Sequence, residues 1–167
     1  LMLTGWIPII VGLLVTMIAG MILERFHKSF TNLPIMLPVV NGIAGGLLSV
    51  YACRLASAYL LGNDDLPVKT PLTILLLTPP LSLTVFACIK TFGMGHRLVS
   101  ANGLLLYGLS LSSQVLVMLL LAKKMVRVCV DRQWDAATIS LPLLTAFSDL
   151  IGTVLLIIVG FSLTLFK

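Results

Sequence analysis

The chain has 167 residues, 59% of them hydrophobic and 10% charged, with a net charge of +5 and a mean hydropathy of +1.12. A soluble domain of this length needs more polar surface than that, so the composition excludes a water-soluble globular protein. The positive charge sits largely between apolar runs, where it orients the chain and meets lipid headgroups, and it does not point to nucleic acid.

Five charge-poor runs follow one another along the chain: residues 1–23, 29–53, 70–89, 98–122 and, apart from Asp149, 136–166. Each supplies the ~20 residues that a helix needs to cross ~30 Å of hydrocarbon. None shows the alternation of a membrane β-barrel strand. The expectation is an all-α integral membrane protein of five transmembrane helices. The first run opens with "GWIPII" and has no charged leader or small-residue cleavage site, so it reads as a helix and not a signal peptide. Beginning on Leu1, the chain reads as a segment of a longer protein.

Helix two reads "LPIMLPVVNGIAGGLLSVYACRLAS". At 3.6 residues per turn Pro38, Asn41, Gly42, Gly45 and Ser49 share one face, which therefore carries no bulky side chain. Two readings stand. A backbone weakened in this way can turn its carbonyl oxygens toward a cavity, which is tolerated at membrane depth only beside water or protein. Alternatively, Gly42 and Gly46 form a GxxxG packing pair.

Helix three contains "LLTPPLSL", where Pro79 and Pro80 are expected to kink or break the helix. Helix four carries a polar line of Tyr107, Ser110 and Gln114, suited to hydrogen bonding between helices. In helix five Thr138, Pro142, Thr145, Asp149 and Gly152 recur at spacings of three and four, so Asp149 shares its face with hydroxyls and small residues. A carboxylate near mid-membrane costs at least ~2.5 to 3.5 kcal/mol, so such a group faces a bundle interior or an aqueous path and is a functional candidate. The structural alternatives are a protonated Asp149 or a pair with Arg54, which lies toward the far end of helix two.

Five spans put the two ends of the chain on opposite sides. One side holds Lys69, Lys123, Lys124, Arg127 and Arg132; the other holds Arg25, Lys28, Lys90, Arg97 and Lys167. The dense stretch "AKKMVRVCVDR" assigns the first side to the cytoplasm, leaving Lys167 outside. His27 and His96 fall in or beside loops on the outer side, where solvated histidines are the rule. Cys53, Cys88 and Cys129 are widely spaced packing residues, not a disulfide or zinc framework.

One carboxylate, bare carbonyls and hydroxyls suit a hard cation. Magnesium keeps several of its waters and is held through one or two carboxylates. No soft-ligand cluster suggests copper or zinc. An intramembrane aspartic hydrolase needs two carboxylates sharing a proton, and the spans offer only Asp149; a Ser–His pair is absent from them too, so an enzyme is not expected. With five helices and no internal repeat, the chain looks like one half of a two-fold assembly, since transporter pathways commonly lie between structural repeats.

"GWIPII", "PVVNGIAGGLLSVYACRLAS", "SQVLVMLLLA" and "LPLLTAFSDLIGT" together resemble the MgtE-type magnesium transporter domain, in order and over nearly the whole chain. The likeness is greatest to the second of two such domains in eukaryotic transporters of solute carrier family 41. The resemblance implies a single domain over residues 1–167 that passes Mg2+ as its transported ion; the expected location is the plasma membrane. It implies a pathway between helices two and five, completed by a second MgtE-like domain from the same polypeptide or a second copy. Asp149 falls on the family's ion-binding aspartate, Gly42 and Gly45 on positions whose carbonyls face the ion, and Thr145 one turn before the aspartate; with Asn41 these are the expected metal-site residues. Ala44 stands for a family glycine and Gly46 for an asparagine, and of the Asp-Pro-Asp-Asn stretch before helix five only Asp135 remains. The loss of those polar groups leaves a rival, a non-conducting or regulatory half of a transporter.

Overall fold

The computed structural model describes residues 2–27, 33–62, 69–91 and 101–165. Five helices fill them: α1 (Met2–His27), α2 (Leu33–Leu60), α3 (Lys69–Thr91), α4 (Ala101–Asp131) and α5 (Ala136–Leu165). Each contains a segment long and apolar enough to cross a membrane. In hydrocarbon every backbone amide needs a partner within the protein, and a helix meets that need locally, so the apolar runs fold this way. The protein is an all-α, multi-pass integral membrane protein.

The helices outrun the charge-free stretches. α4 has 31 residues, about 46 Å at ~1.5 Å per residue. Its last turns carry Lys123, Lys124 and Arg127, all exposed. A short turn then reverses the chain. Gln133 adopts a left-handed φ of 56°, the Trp134 amide donates to the Cys129 carbonyl at 2.8 Å, and the Arg132 guanidinium lies 5.4 Å from the Trp134 ring centre. Asp135 then caps α5 by accepting from the Thr138 amide and hydroxyl. Lys28, residues 63–68 of the second loop, His96, Arg97 and Lys167 lie outside the described residues.

α3 is one helix through Pro79 and Pro80, so of the two expectations the break does not occur. A proline removes an amide donor and crowds the carbonyl one turn back, and membrane helices tolerate it where neighbouring helices and Ser or Thr side chains support the backbone. Hydroxyls brace the same turns, Thr78 donating to the Ile74 carbonyl at 3.0 Å and Ser82 to that of Pro79 at 2.7 Å.

α2, α4 and α5 pack on one another, α3 lies outside against α4, and α1 lies against α5 while scarcely touching α2. The core is built from ridges at helical spacing. On α2 these are Met36, Val40, Ala44 and Leu48; on α4 they are Leu111, Val115, Met118 and Ala122. Lipid tails are as apolar as leucine, so close approach and hydrogen bonds hold the helices together, not exclusion from water. At Gly12 the α1–α5 crossing is tight, since an added Cβ would stand 3.2 Å from the Pro142 carbonyl oxygen. Away from such contacts α1 turns Trp6, Leu13 and Met17 outward, an apolar face that suits lipid.

Candidate functional site

α1 and α2 both rest on α5 and hardly meet each other, so a cleft of about 550 Å³ opens between them with α5 as its floor. Leu37, Pro38, Asn41, Gly42, Gly45 and Gly46 of α2 form one wall, Thr16, Ala19 and Gly20 of α1 the other, and Thr145, Asp149 and Thr153 rise from the floor. All five residues singled out from the sequence, Asn41, Gly42, Gly45, Thr145 and Asp149, line this one cleft. The α1 wall was not anticipated. Its signal was present in the sequence, since Gly12, Thr16 and Gly20 recur every fourth residue and mark a face without bulk.

Among the described residues no Lys, Arg or His side chain lines the cleft. Its hydroxyls spend their protons on their own helices: Thr16 donates to the Gly12 carbonyl at 3.0 Å, Thr145 to that of Pro142 at 3.0 Å, and Thr153 to that of Asp149 at 2.7 Å. What remains on each is an oxygen with lone pairs. The polar wall therefore accepts, which suits a cation or its water.

The glycine stripe faces open space. A Cβ built on Gly42, Gly45 or Gly46 meets nothing within 4 Å, so the Gly42–Gly46 pair packs no helix of this chain. Ala44 points the opposite way, into the core, and its methyl group stays out of the cleft. α2 remains a continuous helix here, so its carbonyls keep their helical direction instead of turning out. The Gly45 carbonyl accepts from the Ser49 hydroxyl at 2.8 Å. Glycine bares these oxygens from the side without unwinding the backbone.

Asp149 is half-buried and lies near the middle of the span Thr138–Leu163. Its side-chain partner is the amide of Asn41, across from α2, not Arg54, which is exposed. Behind Asn41 stands Gln114 of α4, fully buried. Its Nε2 lies 3.3 Å from Asn41 Oδ1, 3.0 Å from the Ser148 carbonyl and 3.1 Å from Ser148 Oγ, its two protons shared between Asn41 and the two Ser148 oxygens. These groups gather over Gly152, where an added Cβ would stand 2.7 Å from Gln114 Nε2 and 3.1 Å from Asn41 Cγ. The polar line of helix four thus divides. Gln114 bonds between helices, the Tyr107 ring packs on Phe86 of α3 at 6.0 Å between centroids, and the buried Ser110 hydroxyl has no partner. Among the described residues no three His, Cys, Asp or Glu side chains gather into a metal-binding group.

Comparison with known proteins adds a family. The MgtE family, described as a divalent cation transporter, matches residues 37–159, a span that takes in the α2 wall and the α5 floor but not α1. The chain is similar to solute carrier family 41 member 2 of Gallus gallus, 28% identical over 95% of this chain and 31% of that protein. It is also similar to member 2 of Homo sapiens, 27% identical over 92% of the chain and 31% of that protein. Member 3 of Rattus norvegicus is 26% identical over 91% of the chain and 38% of that protein. The chain therefore spans about a third of the length of these relatives. No solved structure matches it.

Proposed function

Because this chain belongs to the MgtE family of divalent cation transporters, we propose that it is a membrane domain through which divalent cations, Mg2+ foremost, pass along a path between α2 and α5. The family's members are transporters and not enzymes. The observation that carries the reading is the Asp149 carboxylate. It stands at mid-membrane, hydrogen-bonded by Asn41, in a cleft whose hydroxyls are turned to accept. A charge at that depth is retained where it meets an aqueous path or an ion.

Space supports a hydrated ion. Six waters at ~30 Å³ each take up about 180 Å³, well within the cleft's 550 Å³. Magnesium gives up its waters reluctantly and is usually held through one or two carboxylates, as a lone aspartate requires. In this reading Asp149 supplies the charge, Asn41 holds its carboxylate from α2, and the Thr145 hydroxyl oxygen accepts from the ion's waters. Gly42 and Gly45 leave room for those waters to reach helix carbonyls. A second MgtE-like domain, from the same polypeptide or a second copy, covers the open mouth about a two-fold axis along the membrane normal. An uptake role places the protein in the plasma membrane.

The test is Mg2+ flux into proteoliposomes holding the full-length protein. Asp149→Asn keeps the side chain's shape and removes its charge, so flux is expected to vanish while expression and thermal stability stay near wild type. Full flux through a well-folded Asp149→Asn protein would overturn the assignment. A wild type that folds, pairs and passes no ion would instead identify a non-conducting half.

A further inference from the structure

We infer that Gln114 of α4, which does not line the cleft, is a positioning residue that locks the Asn41 amide with its N–H edge toward Asp149. The inference rests on the proposed ion site, and deepens it by adding a residue from a third helix.

The argument begins at the Ser148 backbone carbonyl, which can only accept a hydrogen bond. Facing it at 3.0 Å, the Gln114 amide must present its NH2 group. That NH2 also reaches Asn41, so the Asn41 atom turned toward Gln114 has to be the acceptor Oδ1. The donor Nδ2 is what remains for Asp149. Were Gln114 reversed, its Oε1 would face the carbonyl oxygen of Ser148, and Asn41 would be free to turn its own oxygen toward the carboxylate, acceptor against acceptor. One backbone carbonyl thus fixes two amides in series.

Two further observations accord with this orientation. Gln114 Oε1 is buried without a partner, an unfavourable state that this orientation imposes. Residue 152 is glycine where any Cβ would collide with both amide ends. With Asn41 held as donor, the carboxylate keeps its other lone pairs for the ion's waters. A residue that orients a metal ligand in this way typically changes metal affinity by about 10- to 100-fold when lost.

The experiment measures Mg2+ flux against Mg2+ concentration for the full-length wild type, Gln114→Leu, the equally long Gln114→Met, Asn41→Ala and the Gln114→Leu/Asn41→Ala double variant, with Asp149→Asn as control. The expected result is a rise of about tenfold or more in the half-saturating Mg2+ concentration for both Gln114 variants. That rise should exceed any fall in maximal flux per folded molecule. In the Asn41→Ala background the Gln114 change should add nothing, because its effect passes through Asn41. Flux that depends on Asp149 but is unaltered by either Gln114 variant overturns the inference alone. So do single-variant effects that multiply in the double variant, which would make Gln114 an adhesive between helices. Flux indifferent to Asp149→Asn overturns the proposed ion site, and this inference with it.

Discussion

Gly152→Ala places a single methyl group where three helices converge. Its Cβ would lie 2.7 Å from Gln114 Nε2 and 3.1 Å from Asn41 Cγ, and closer still to Asn41 Oδ1. Neither neighbour retreats freely, because Gln114 is tied to Ser148 and Asn41 to Gln114 and Asp149. Asn41 must rotate away, and two interhelical hydrogen bonds go with it, at ~0.6 kcal/mol each on average in membranes. Overpacking adds about 1–3 kcal/mol, and alanine's better helix propensity returns ~0.5–1 kcal/mol. The net expectation is a loss of about 1–4 kcal/mol. Gly42→Ala is the matched control, because its methyl group enters open space and only the gain of ~0.5–1 kcal/mol applies. Denaturant unfolding of the two variants in one detergent, with flux per folded molecule measured beside it, separates them. Gly152→Ala should be the less stable and should lose affinity for Mg2+ even while folded. Equal stabilities, with Mg2+ half-saturation unchanged in Gly152→Ala, would refute the reasoning that the three-helix junction needs glycine there.

Gly45→Val should block flux while leaving thermal stability near wild type, since the new side chain occupies space that no other group uses; a stability loss with flux per folded molecule intact would return the glycine stripe to a packing role. Gly46→Asn has room for its amide and adds a hydrogen-bonding group for ion-bound water. It should tighten Mg2+ binding and sharpen its competition against Ca2+, Mn2+ and Co2+, and unchanged competition would show that this position does not tune selectivity.

The five helices were legible because a bilayer demands about twenty apolar residues per crossing, and the chain supplies five such runs. Their ends were not, because a helix does not stop where hydrocarbon does. α2 continues through Arg54 and α4 through Lys123 and Arg127, whose long side chains reach water from a helical backbone. Pro79 and Pro80 do not end α3, because membrane helices tolerate an interior proline where neighbouring helices and Ser or Thr side chains support the backbone. Asp149 stood out because a charge in an apolar run has few explanations, and the spacing of Asn41, Gly42 and Gly45 placed them on one face in advance. That Asn41 reaches Asp149, and that Gln114 reaches Asn41, depends on how α2, α4 and α5 approach, which no periodicity encodes. Ala44 shows the same limit. It sits among the glycines of the motif, yet packs into the core while Gly42, Gly45 and Gly46 line the cleft.

The seat of α1 on α5 also bears on the order of assembly. Gly12 meets Pro142, almost the whole length of the chain away, and α1 scarcely touches α2, its neighbour in sequence. Of these five helices, the first to leave the ribosome is thus the one whose partner is made last. Only α5, the last made of the five, gives α1 a seat at Gly12. Contacts of such long range form slowly compared with those between successive helices. The cleft therefore has no second wall until synthesis of the domain is nearly complete, and Asp149 enters the bilayer in the same step that builds the site around it.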